Sequence, residues 1–174
     1  MYKRQLQSCQ KTIQWVYLNA DSLDIDRKRI HISGNSAGGH LVTLLMHRDW
    51  PEKFGLPPDL IAGGCAISGI YDLKPVRLSI KNEILDLSLE DVERFSPIRH
   101  LPEEASELLF FVGSEETNEF LVQQEEIQQS WQKAGLQSSA EICPGRNHID
   151  ILIQEFADPT SSMNEQVRTQ MGIL

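Results

Sequence analysis

Two rhythms of apolar positions trade places along this chain. Over residues 3–20 the apolar side chains recur at three- and four-residue steps, as Leu6, Cys9, Ile13, Val16, Tyr17 and Ala20, which predicts an amphipathic helix with one face to bury. A polar connection carrying both charge signs follows over 21–29. The pattern then becomes a short β-branched strand at 29–33, a turn of small residues at 34–38, and an apolar helix over 39–47. Trp50-Pro51 and Leu56-Pro57-Pro58 read as a loop. The small apolar run LIAGGCAIS, 60–68, reads as a strand buried on both faces.

Residues 73–105 lack a long period. Short helical turns at 83–87 and 90–95 are interrupted by Pro75, Pro97 and Pro102, and an irregular insertion of this kind serves either as connecting loop or as a lid or binding wall. ELLFFVG at 107–113 is a third strand. A helix follows over 118–134, with Phe120, Leu121, Ile127, Trp131 and Ala134 facing inward and Gly135 as its stop. SAEIC at 139–143 is the fourth strand, 144–148 a loop, and 149–156 the start of a last helix, which 158–162 breaks. From Met163 onward the chain reads as a short helix or a disordered tail.

Strands alternating with helices predict an α/β domain with a mostly parallel sheet of about four strands, helices on its faces and the functional loops at the C-terminal strand ends. One rim would then carry Gly34-Asn35-Ser36, Ser68 to Asp72, Gly113 to Asn118 and Gly145 to His148. The length of 174 residues suits one domain, and no repeat or linker divides it.

Composition narrows the partners. A net charge of −9 and a pI near 5.0 disfavour nucleic acid and anionic membrane surfaces, both of which would repel the chain. No apolar run approaches the ~20 residues of a spanning helix, and the first ten residues lack the apolar core of a signal peptide. Cys9, Cys65 and Cys143 form neither a disulfide framework nor a zinc pattern, which fits a reducing compartment such as the cytosol.

The chemistry converges on the turn at 34–38. Gly34, Ser36 and Gly38 match G-x-S-x-G between a strand and a helix, the setting in which a serine is held on a strained turn. Glycines on either side let strand and helix approach, the hydroxyl projects above the sheet edge, and the Ala37 amide points to where an oxyanion would form. A plain glycine-rich turn or a phosphate-cradling turn is the bland alternative, and neither G-x-x-x-x-G-K-[ST] nor G-x-G-x-x-G is present.

A serine nucleophile needs a base and an acid to orient it, in the chain order Ser, Asp or Glu, His. His31 lies within a strand, His40 and His47 on the helix after the turn, and His100 in the insertion, which leaves His148 beyond the last strand as the base. For the acid, Glu116 is favoured, with Glu115 beside it and Asp72 after the second strand as alternatives.

Trp15-Val16, RIHISGNSAGGHL, SGIYDLKPVRLS, FSPI, VGSEETNEF and PGRNHIDIL stand in this order from about residue 5 to about residue 157. Together they resemble the α/β-hydrolase fold proteins related to kynurenine formamidase (arylformamidase) and the carboxylesterases nearest to them. The resemblance implies a nucleophile at Ser36, an acid at Glu116, where the family normally has Asp, and a base at His148. It implies no metal and no cofactor. The expected substrate is a small acyl compound, either an aryl formamide such as N-formylkynurenine, from tryptophan catabolism, or a carboxylic ester. Proteins of this family begin with several strands and an H-G-G loop that supplies oxyanion amides, and no His-Gly-Gly precedes Ser36. By this reading the chain is a partial α/β-hydrolase domain lacking the usual first strands, with Ala37 as one oxyanion donor and an open sheet edge that invites a second copy. The alternative is a catalytically impaired chain that acts by binding.

Overall fold

Alternation along the central strands decides how the layers stack. The computed structural model describes residues 2–47 and 49–174. Its four strands, β1 (His31–Asn35), β2 (Gly63–Ile67), β3 (Leu108–Gly113) and β4 (Ser138–Cys143), pair in parallel in the order β1-β2-β3-β4. Every residue of β2 and β3 is buried, so these strands read as unbroken apolar runs rather than alternating ones. Successive side chains nevertheless point to opposite faces. Ala66, Leu108 and Phe110 join one core with Ile13, Val42, Leu45, Ile127 and Trp131. Cys65, Ile67, Leu109 and Phe111 join a second with Cys143, Ile151 and Met163.

The first core is covered by α1 (Tyr2–Leu18), α2 (Ala37–Leu45) and α7 (Asn118–Lys133). Phe110 is its centre: Tyr71 and Trp131 both meet its ring edge to face, at centroid separations of 5.5 and 6.0 Å. The opposite face is covered by a π-helical turn (Leu152–Phe156) and α8 (Ser162–Gln170). Met163, on α8, is fully buried, so the stretch expected to be a short helix or disorder is a helix that closes the second core.

Four helical segments lie between β1 and β3 after the elbow helix: α3 (Asp49–Glu52), α4 (Lys74–Arg77), α5 (Asn82–Leu85) and α6 (Leu89–Phe95), followed by a 3₁₀ turn (Pro97–Arg99). Two expectations are corrected here. Trp50-Pro51 lies in α3 rather than in a loop, because the buried Trp50 indole donates to the Leu45 carbonyl at 2.8 Å and anchors the turn. Pro75 does not interrupt α4, because it stands in the first turn, where its missing N–H has no helical partner to lose. The α6 helix is set by a capping box, with Ser88 accepting from the Asp91 amide and Asp91 accepting from the Ser88 amide.

No described helix is long and apolar enough to cross a membrane. β1 lies at one edge of the sheet and β4 at the other. Since all four strands run the same way, their C-terminal ends share one rim.

Candidate active site

Backbone hydrogen bonds stitch that rim together from strand to strand. The Ser36 N–H donates to the Ile67 carbonyl at 2.9 Å, the Ser68 N–H to Phe111 at 2.7 Å, and the Ser114 N–H to Cys143 at 3.0 Å. Each loop therefore starts from a fixed height relative to its neighbour.

Ser36 sits between β1 and α2 with φ 57° and ψ −117°, a conformation rarely adopted by a residue with a side chain. It occupies the N-cap position of α2, yet its hydroxyl makes no capping hydrogen bond, so the side chain is left to project from the turn. The Ala37 amide belongs to the first turn of α2, whose N–H groups have no helical acceptor. Glycine makes the turn possible at Gly34: a Cβ there would lie 2.5 Å from the Gly38 carbonyl carbon and oxygen. A Cβ on Gly39 would meet the Gly69 Cα at 2.9 Å, whereas one on Gly38 meets nothing within 4 Å. The close approach expected of Gly34 and Gly38 thus depends on the absence of a side chain at Gly34 and Gly39, and Gly38 contributes the backbone against which Gly34 packs.

Glu116 and His148 come together across the loops after β3 and β4. The Glu115 N–H donates to the Arg146 carbonyl at 2.9 Å and the Gly145 N–H to the Ser114 hydroxyl at 2.8 Å, so the two loops are hydrogen-bonded to each other. A Cβ on Gly113 would stand 2.1 Å from the Arg146 carbonyl oxygen, and only glycine admits this approach. Asn147 shapes the second loop: its side-chain oxygen accepts from the Ile149 and Asp150 amides, and Asp150 accepts in return from the Asn147 amide at 2.7 Å.

His148 Nδ1 donates to Glu116 Oε2 at 2.6 Å, with the Glu116 side chain 1% exposed and the His148 side chain 32% exposed. A carboxylate only accepts, so the proton sits on Nδ1 and Nε2 of the neutral ring is left as a base. The imidazole packs against Phe120 at a centroid distance of 4.8 Å. Glu116 Oε1 accepts from the Ser68 hydroxyl at 2.5 Å and from the Gly113 amide at 2.9 Å.

The alternative acids stand elsewhere. Asp72 accepts from the Lys74 amide at 2.9 Å and faces Arg99 at 3.4 Å, while Glu115 is exposed. The other histidines also have separate surroundings. His40 is 1% exposed and donates from Nδ1 to the Ile70 carbonyl at 2.8 Å, and burial pulls its pKa down to about 4. His100 Nε2 lies 2.6 Å from the Glu93 carbonyl. Burial also lowers the pKa of His31 and His47.

Ser68, the Gly113 amide and Phe120 are the site residues that the sequence did not single out. The stretch from Ser68 to Asp72 was placed on the rim, but nothing in a serine's neighbours says which acceptor its hydroxyl reaches. Beside Phe120 a cavity of about 230 Å³ is lined mainly by apolar groups, including Ile70, Pro75 and Val76. A wider hollow of about 740 Å³, lined by residues such as His47, Asp49 and Glu104, includes none of these rim residues. Among the described residues, no group of three or more His, Cys, Asp or Glu side chains is placed to hold a metal ion.

Three kinds of similarity accompany this geometry. The family model described as BD-FAE matches residues 1–54. Kynurenine formamidase of Danio rerio is 32% identical over 148 residues, and that of Salmo salar 28% over 149 residues. Each match covers 82% of this chain and 50% of the relative, so the chain spans about half the length of the curated relatives it matches. The crystal structure of an acetyl ester-xyloside bifunctional hydrolase from Caldicellulosiruptor lactoaceticus superimposes with a TM-score of 0.74 at 17% identity, over 97% of this chain and 66% of that one.

Proposed function

We propose that this chain, whose fold matches that of the acetyl ester-xyloside hydrolase and whose sequence resembles the kynurenine formamidases, is a serine hydrolase in which Ser36, His148 and Glu116 act as nucleophile, base and orienting acid. The observation that carries this reading is the buried Glu116 carboxylate on His148 Nδ1, on the same rim as a serine held at φ 57°.

The chemistry follows from the proton positions. His148 Nε2 takes the Ser36 hydroxyl proton as Oγ bonds to the acyl carbon, and the carbonyl electrons move onto an oxyanion that the Ala37 amide stabilises. Glu116 stabilises the imidazolium and holds the ring in one tautomer. His148 then gives its proton to the leaving oxygen or nitrogen as that bond breaks, leaving an acyl-serine. Water, deprotonated by His148, releases the acid and restores the serine.

The substrate is proposed to be an aryl formamide of the N-formylkynurenine type or a small carboxylic ester. The named activity of the Danio rerio and Salmo salar relatives supports the former, and the esterase fold neighbour the latter. The three free cysteines fit action in a reducing compartment such as the cytosol.

Labelling with a fluorophosphonate probe tests the assignment. Wild-type protein should be labelled at Ser36, Ser36→Ala should not be labelled, and His148→Ala should be labelled slower by at least about 10³-fold. Folded wild-type protein, checked by circular dichroism, that takes up no label would overturn it. Comparing kcat/KM for N-formylkynurenine and p-nitrophenyl acetate separates the two substrate classes.

A further inference from the structure

The Glu116 carboxylate has more partners than contact with a histidine requires, and they are divided between its oxygens. Oε2 faces the His148 ring at 2.6 Å, whereas Oε1 accepts from the Ser68 hydroxyl at 2.5 Å and the Gly113 amide at 2.9 Å. The last torsion of a glutamate is broad, so nothing intrinsic to the side chain keeps Oε2 on the ring. Two donors from different strands, converging on Oε1, remove that freedom.

Ser68 is built for this contact at a cost to the backbone. It has φ 48°, in the left-handed region, and is 1% exposed. A glycine would occupy that φ without strain, so the fold alone gives no reason for a hydroxyl there. Its amide is fixed on the Phe111 carbonyl at 2.7 Å, which sets its height above the sheet. The next residue, Gly69, backs onto the elbow helix, since a Cβ on Gly39 would come within 2.9 Å of its Cα. One two-residue turn therefore touches the nucleophile's helix on one side and the acid on the other.

We propose that Ser68 is a positioning residue: its hydroxyl fixes the Glu116 carboxylate so that Oε2 stays on His148 Nδ1. The proposal rests on the serine-hydrolase reading above and adds to it a group that acts through Glu116 rather than on substrate. Tyr71 and Cys143 are the titratable groups buried close by. Burial raises both pKa values, that of Cys143 to about 12, so both stand neutral beside Glu116 at neutral pH.

The test compares Ser68→Ala and Ser68→Gly, the first removing the hydroxyl alone and the second removing both hydroxyl and strain. In both, labelling of Ser36 by a fluorophosphonate should slow by about 10–100-fold, as for other groups that orient a reacting residue. The downfield proton resonance of His148 Nδ1 should shift or broaden. Recovery of wild-type labelling in Ser68→Gly, or an unchanged resonance in the variants, would overturn the proposal. If Ser68→Ala does not fold, Ser68→Gly alone carries the test. If wild-type protein takes no label, the hydrolase reading fails, while the resonance, which needs no nucleophile, still decides the role of Ser68.

Discussion

The Ser36 side of the rim and its Glu116–His148 side, the proposed nucleophile and acid–base sides, are held by different physics. Ser36 is placed by exclusion of volume: Gly34 packs on the Gly38 backbone, Gly39 on Gly69, and the serine takes the strained φ that this packing leaves. Glu116 and His148 are directed by donors and acceptors, with Ser68 and the Gly113 amide on the carboxylate and Asn147 shaping the histidine's loop, over one close approach of their loops at Gly113. The first arrangement is sensitive to a single methyl group and indifferent to charge. The second shares that steric limit at Gly113 and fails in addition when a proton or a charge is misplaced.

The sharpest way to separate the two is Glu116→Gln, which keeps the volume and removes the charge. An amide at this position can donate to Nδ1 and favour the wrong imidazole tautomer, so labelling of Ser36 should fall by about 10⁴-fold. The folded structure should survive, as read by an unchanged circular dichroism spectrum. A labelling rate within tenfold of wild type would show that His148 does not depend on this carboxylate.

The converse experiment adds a methyl group to the Ser36 side. Gly34→Ala puts a Cβ against a backbone carbonyl at 2.5 Å and should destabilise the protein by roughly 3 kcal/mol or more, whereas Gly38→Ala, with open space at its Cβ, should cost less than about 0.5 kcal/mol. Urea unfolding of the pair reads the difference. Equal midpoints would remove the claim that Gly34, rather than Gly38, carries the close approach.

Acid acts on the Ser36 side through His40, a buried residue of α2. Burial holds its pKa at about 4 in the folded protein against about 6.5 when unfolded. Below pH 6.5 the unfolded chain takes up a proton that the folded chain refuses. This histidine therefore contributes stability above pH 6.5 and loses it progressively down to about pH 4, by about 3 kcal/mol in all. In His40→Gln the slope of stability against pH should be shallower across this window. An identical slope would mean that His40 titrates alike in both states.

The two sides also differ in how legible they were. Three strands were readable from the run of apolar residues, since 107–113 and 139–143 lie within a residue of β3 and β4 and 60–68 encloses β2. The elbow carries its own sequence signature because sterics demand glycine, and glycine is visible. The insertion over 73–105 was not readable as helices because its turns are short and held by particular contacts, such as the Ser88–Asp91 box. Ser68 escaped notice for a related reason: a hydrogen bond from a loop hydroxyl leaves no period, and its acceptor is 48 residues away.

That difference bears on the choice of acid, where the sequence left Asp72 and Glu115 beside Glu116. Asp72 is held within its own segment, accepting from the Lys74 amide and the Ser96 hydroxyl and facing Arg99. Its carboxylate organises the loop after β2, so Asp72→Asn should lower stability by about 1 kcal/mol, the scale of a partly exposed ion pair with a hydrogen bond. It should leave the Ser36 labelling rate within about twofold, because the bond between Glu116 and His148 is untouched. Glu115→Gln, at an exposed side chain, should change neither quantity. A large loss of labelling in Asp72→Asn with His148 still on Glu116 would place the working carboxylate after the second strand, and the acid–base side would then be held by a different set of donors.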